Sequence, residues 1–143
     1  MIRVAAIQQP EHAPWVGFFH KMAQCDVFVY LDHVQFKKRY FENRNRIKTR
    51  HGVQWFTVPV LSKGSYRQRI RDVRIDEAVD WRKKYKGVLT HAYGGAPFWR
   101  DLRSIVWPAL DGGVDVLIDL SKSWCSSDLF ICYSMLLCKL RFD

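Results

Sequence analysis

Two apolar runs, VAAI at Val4–Ile7 and VFVYL at Val27–Leu31, stand on either side of a segment whose apolar residues recur at helical spacing. Trp15, Phe18, Phe19 and Met22 fall on one face of that segment, and His20, Lys21 and Gln24 on the other. Pro14 suits a first helical position, where its missing N–H has no partner to lose. The pattern predicts strands over Ile2–Gln8 and Val27–Leu31 joined by a helix from Pro14 to Gln24. A strand, helix and strand this close together close in one way, as a parallel pair with a right-handed crossover. The second run is apolar throughout, as in a strand covered on both faces. In such sheets ligands collect beyond the carboxyl ends of the strands. Gln8, Gln9, His12, Asp32 and His33 all fall at that end.

The middle of the chain reads as β-rich and basic. RIKT and VQWFTVPV flank His51-Gly52 as two strands around a tight turn. IRDVRID alternates loosely and reads as a further strand. Asp80 is a good N-cap for a helix WRKKYKGVLTHAY that stops at Gly94-Gly95. Phe98 to Leu110 reads as another helix, interrupted by Pro108, and VDVLIDLSKSW as a third. The fold class is α/β, with a βαβ start, a basic β-rich middle and C-terminal helices. No repeat or linker divides the chain.

Charge is concentrated in the same middle segment. Of the 23 Lys and Arg residues, 16 lie between Lys37 and Lys86, against five of the 14 acids. With a net charge of +9, the chain attracts anions such as nucleotides, sugar phosphates, nucleic acid or an anionic membrane surface. The aromatic content of 15% excludes a disordered chain. The four cysteines form no CxxC pair and no His stands at zinc-finger spacing. No metal site or cofactor follows from the sequence. The apolar runs fall short of the roughly 20 residues that span a bilayer, and the N-terminus lacks a signal-peptide pattern. The expected setting is therefore reducing and cytoplasmic.

The strongest basic motif is NRNRIK. In an extended strand Asn43, Asn45 and Ile47 face one way, and Arg44, Arg46 and Lys48 the other. Arginine forks bind phosphate or carboxylate through two parallel bonds, while paired asparagines also hold turns. Asp32, after the second strand, suits a ribose hydroxyl or a metal, or serves as a turn residue beside Lys37, Lys38 and Arg39. Trp81 and Tyr85 in WRKKYK share one helix face, which makes that stretch an ordinary amphipathic helix.

The stretch IQQPEHAPWVGFFHKMAQCDVFVYLDHVQFKKRYFENRNRIK resembles the opening of the WbqC-like family. Shared features are Gln9-Pro10, the segment Pro14 to Phe19, Asp32, and Asn43 to Ile47. WFTVPV at Trp55–Val60 and SSDL at Ser126–Leu129 come next in the family's order. The resemblance covers residues 1–128 and implies a WbqC-like domain there, with 129–143 an atypical tail. Where the family continues past SSDL, this chain ends in LFICYSMLLCKLRFD, so a truncated product is expected, with part of the site in the missing half.

The family's first βαβ unit is similar to nucleotidyltransferase-type Rossmann-like folds, and its members occur among genes for bacterial O-antigen and other surface polysaccharides. The resemblance implies an anionic small-molecule substrate, a nucleotide or nucleotide-sugar, handled by group transfer. His12 and Asp32 are the catalytic candidates. Gln9, Pro10, Asn43, Arg44, Asn45, Arg46 and Lys48 are the substrate-binding ones. Nucleotidyltransferases place histidines in the loop after their first strand; here the second histidine of that pattern is absent and Phe18 stands near its place. The alternatives are a basic nucleic-acid-binding module, for which no RNP, KH or zinc-finger motif is present, and an inactive fragment.

Overall fold

The computed structural model describes residues 3–65 and 67–125. The SSDL element and the tail at 129–143 lie outside the described residues. Strand β1 (Ala5–Gln8) pairs in parallel with β2 (Val27–Tyr30), Ala5 opposite Val27 and Gln8 opposite Tyr30. Helix α1 (Val16–Ala23) connects them, so the expected βαβ opening is present.

Two details of this unit differ from the sequence reading. The helix begins at Val16, which leaves Pro14 and Trp15 in the entering turn. Trp15 is the N-cap, with φ −76° and ψ 165°, and is therefore off the helical face. Its ring folds back over Gly17, where an added Cβ would come within 2.1 Å of it, and Trp15 is exposed, not buried. Second, the sheet is covered on one face only among the described residues. Phe28 and Tyr30 turn toward Phe18, with ring centroids 5.3 and 6.4 Å away. Ile7, Val27 and Val29 on the opposite face are exposed, because the one crossover helix can cover only one side.

A basic hairpin comes next. Strand β3 (Arg44–Thr49) pairs antiparallel with β4 (Gly52–Thr57), from Thr49 opposite Gly52 to Arg44 opposite Thr57. Gly52 has φ 108°, a left-handed value open to glycine at little cost. Thr49 Oγ1 closes the turn by donating to the Gly52 carbonyl (2.8 Å) and accepting from His51 N–H (3.2 Å).

IRDVRID is not a strand. Ile70–Asp72 form one turn of 3-10 helix. Beyond that turn the chain makes only single bridges among the described residues, Ile75 to Val60 and Arg74 to Val116. Ile70, Val73 and Ile75 are nonetheless all buried. These apolar positions serve a core that an irregular backbone reaches, so their loose alternation is no strand signal.

The helices match their sequence signals. Asp80 accepts from Lys83 N–H (3.1 Å) and caps α2 (Trp81–Tyr93), whose Trp81, Tyr85 and Leu89 are buried at four-residue spacing. Helix α3 (Trp99–Asp111) runs through Pro108. Near the end of a helix a proline leaves only one carbonyl, that of Ser104, without its donor. Helix α4 (Leu117–Ser123) buries Leu117, Ile118 and Leu120. Arg82 ties α2 to the end of α3, donating to the carbonyls of Leu110 (2.8 Å) and Val114 (3.0 Å) and pairing with Glu77. Lys86 pairs with Asp111. The basic residues of WRKKYK thus include two that join helices.

The main core gathers Phe36, Ile47, Val58, Ile70, Val73, Trp81, Tyr85, Leu110, Leu117, Leu120 and Trp124. Phe18 and Phe19 are buried apart from it, with Phe28 and Tyr30, inside the βαβ unit.

Candidate functional site

The chain leaves β1 at Gln8 and turns through Pro10 and Pro14, both fully buried, with Ala13 in the left-handed region at φ 46°. A non-glycine residue there stores strain that its surroundings must hold. Asn45 supplies the hold: its side-chain amide donates to the carbonyls of Ala13 (2.6 Å) and His12 (3.2 Å). The backbone N–H of His12 donates to the Phe41 carbonyl (2.9 Å). These bonds seat the start of the basic hairpin against the loop that ends the first strand. Asn43, also buried, donates from Nδ2 to the Val58 carbonyl (2.9 Å). In NRNRIK the two asparagines thus hold backbone, one across to the loop and one across the hairpin.

The opposite face of β3 is the open one. The Arg44 guanidinium lies 4.0 Å from the Trp55 ring centroid and that of Arg46 5.4 Å, with Trp55 directly opposite Arg46 in the hairpin. Trp55 is 42% exposed, and Arg46 and Lys48 are exposed beside it. A large aromatic left at the surface under two cations is an unusual use of a tryptophan; the stacked guanidiniums retain N–H groups for an anion.

His12 is 0% exposed. Its Nε2 shares a hydrogen bond of 2.9 Å with Tyr85 Oη, and its ring meets Phe56, Tyr85 and Trp124 edge-on at 5.6–5.8 Å. Burial lowers its pKa to about 3, so it is neutral near neutral pH. Its Nδ1 has no hydrogen-bond partner among the described residues. Asp32 and Gln9 are half-buried at the carboxyl end of the sheet, where Leu31 N–H donates to the Gln8 carbonyl (2.8 Å) and Arg71 N–H to that of Asp32 (3.0 Å). His33 is exposed. The structure therefore brings Gln8, Gln9, Pro10 and Asp32 to one sheet end with β3 beside it. His12 is enclosed in the core, and Arg44, Arg46 and Lys48 lie on the face of β3 opposite the Asn45 bonds to this loop.

Residues that motif reading missed are also here. Gln8 donates from Nε2 to Glu11 Oε1 (3.1 Å). Glu11 is half-buried and desolvation raises its pKa, against the Gln8 bond. Glu42 is 2% exposed, and neither carboxylate oxygen is hydrogen-bonded by another of the described residues. Burial raises its pKa, and the charge of Glu11 adds to that, while its own backbone N–H and Lys37 work the other way. Tyr30 and Cys125 interact at the end of β2, both held protonated chiefly by burial. A sequence signal for Glu42 existed: it is the only acid from residue 33 through residue 71. Helical spacing puts Tyr85 on the buried face of α2 and WFTVPV includes Trp55, but the Tyr85 bond to His12 and the Trp55 stack under Arg44 depend on long-range contacts that the local pattern does not mark. No group of three or more potential metal ligands occurs among the described residues, and no described helix is long and apolar enough to cross a membrane.

A βαβ opening, followed by a basic hairpin that Asn45 fastens to the loop after the first strand, defines the class. The model of the WbqC-like protein family matches residues 9–133, and the chain belongs to that family. It is similar to the uncharacterized protein Rv1507c of Mycobacterium tuberculosis (strain ATCC 25618 / H37Rv), 39% identical over 107 residues. That match takes in 75% of this chain and 46% of the relative, so the chain spans about half the relative's length. No solved structure matches it.

Proposed function

We propose that the protein binds a nucleotide or nucleotide-sugar at the carboxyl end of β1 and β2 and serves group transfer in bacterial surface-polysaccharide (O-antigen) synthesis. The observation that supports this reading is the open Arg44–Trp55–Arg46 face of a hairpin whose other face Asn45 fastens to the loop after the first strand. Arg44, Arg46 and Lys48 neutralise phosphate, and Trp55 offers a ring on which a base or sugar can rest. Asp32, at the sheet end, takes a hydroxyl of the ligand. Gln9 and Pro10 shape the crevice wall. His12 is neutral at working pH, so it acts as a hydrogen-bonding group through Nδ1 and not as a cation. The likeness to nucleotidyltransferases that the family resemblance implies for the βαβ unit would favour the same placement, since charge stabilisation by fixed donors is the main device of such transfer chemistry.

The test is a titration calorimetry panel of nucleotides and nucleotide-sugars on wild type and on an Arg44→Ala, Arg46→Ala double variant. The expected result is binding of at least one panel member, weakened about 30-fold or more in the variant, as for loss of charge-assisted contacts. Binding indifferent to both substitutions overturns the reading. A single nucleic-acid strand also stacks on exposed aromatics between arginines. Oligonucleotide affinity that falls steeply with salt, with no response to mononucleotides, would favour that second reading.

A further inference from the structure

Glu42 poses a chemical problem that the phosphate face does not solve. A carboxyl group 98% removed from solvent ordinarily has donors on both oxygens, and here neither oxygen is hydrogen-bonded by another of the described residues, its own backbone N–H being the one donor that bears on it. The nearest charges do not supply the need. Lys37 reaches Glu42 only through its field; it is exposed, with its ammonium 5.3 Å from the centroid of the Tyr40 ring. Glu11 adds a second carboxyl. Its neighbour His12 is bonded through the backbone to Phe41, the residue before Glu42 (2.9 Å), so the two acids flank one hydrogen bond between the loop and the hairpin. Glu11 is half-buried and engaged on one oxygen by Gln8 (3.1 Å). Two acids are thus brought together beyond the carboxyl end of β1, the inner one with no donor from another described residue and the outer one partly open to solvent.

We propose that Glu42 and Glu11 form a subsite for a primary ammonium group, the amine of an amino sugar or a comparable acceptor. An ammonium carries three donors and one positive charge, which matches two oxygens on Glu42 that no other described residue bonds and one like-charged neighbour. A neutral hydroxyl would supply a single donor and leave the repulsion between the acids in place. This site adjoins the proposed phosphate face, because Glu42 lies two residues before Arg44. It rests on the reading of this sheet end as a substrate crevice and assigns that substrate a basic nitrogen.

The test uses D-glucosamine, with N-acetylglucosamine and glucose as ring-matched controls, in calorimetric and thermal-shift titrations of the full chain. Wild type is expected to respond to glucosamine and not to either control. Glu42→Gln, which keeps the shape and removes the charge, should weaken the glucosamine response about 30-fold or more, as for loss of one partner of a buried charge pair, while still melting cooperatively. Glu11→Gln is the second variant should Glu42→Gln fail to fold; its half-buried position makes the substitution mild, and it too should weaken the response. Equal responses to glucosamine and glucose, no response at all, or a glucosamine response intact in a folded glutamine variant overturns the proposal. A buried, protonated and purely structural Glu42 gives the second of these. The probes carry no phosphate, so the Arg44→Ala, Arg46→Ala variant should retain amine binding. Loss of nucleotide binding in that variant stands or falls separately.

Discussion

At the scale of single residues, His12 is the side chain whose environment departs furthest from its sequence surroundings. QQPEHAP reads as a polar loop, yet the imidazole is enclosed by Phe56, Tyr85 and Trp124. Its pKa of about 3 in the folded chain lies below the ordinary 6.5. The unfolded chain therefore binds more protons between those values, and stability rises with pH across them. His12 contributes its full share above about pH 6.5 and loses it as pH falls toward 3, a loss of roughly 2 kcal/mol by about pH 5. Glu11 and Glu42, with raised pKa values, act in the opposite sense: their contribution is present at low pH and fades as pH rises through their folded values. The expected outcome is a difference measurement. Urea unfolding of wild type and His12→Gln from pH 5 to pH 7.5 should show the gap between them shrinking as pH falls, because the variant lacks the titrating ring. A gap constant with pH would mean that His12 is not held neutral.

At the scale of elements, two substitutions separate core packing from helix capping. Phe19 is buried within the βαβ unit, and Phe19→Ala should cost about 3–5 kcal/mol by denaturant unfolding. Asp80 holds the first turn of α2 through Lys83 N–H, and Asp80→Ala should cost about 1 kcal/mol. The elements legible in sequence are those with local causes. The α2 cap, the Gly52 turn and the apolar runs of β1 and β2 each fix their own backbone. Arg44 and Arg46 are readable as one outward face because strand alternation is a short-range rule. Trp15 is misplaced by sequence pattern because the helix starts two residues later than the pattern suggests, at Val16 instead of Pro14, which leaves the side chain off the helical face. The 3-10 turn at Ile70–Asp72 escapes because burial at Ile70, Val73 and Ile75 is set by partners such as Leu117, far along the chain. The candidate site is legible in the same uneven way. Polar residues at the strand ends follow from topology, whereas the meeting of Glu11 with Glu42 depends on how the hairpin docks.

At the scale of the whole molecule, the buried side chains fall into two groupings, the larger around Tyr85 and Leu117 and the smaller around Phe18. The two-stranded sheet of the smaller grouping has one face open among the described residues. A pair of strands with one helix is marginal alone, and native proteins open in cooperative pieces well below the free energy of global unfolding. The backbone amides of β1 and β2 should thus exchange with deuterium by partial opening, while those of α2 exchange only through global unfolding. Mass-resolved exchange of the native protein measures both, and equal protection of the two segments would contradict the division. The consequence for a site built on the junction is thermodynamic. Gln9 and Asp32 belong to the piece that opens, and Arg44 and Asn45 to the piece that stays closed. A ligand that bridges the two is released by either opening, so it should slow exchange in β1 and β2 and in α2 by the same factor, and the readily opened amides of β1 and β2 become the convenient gauge of its affinity.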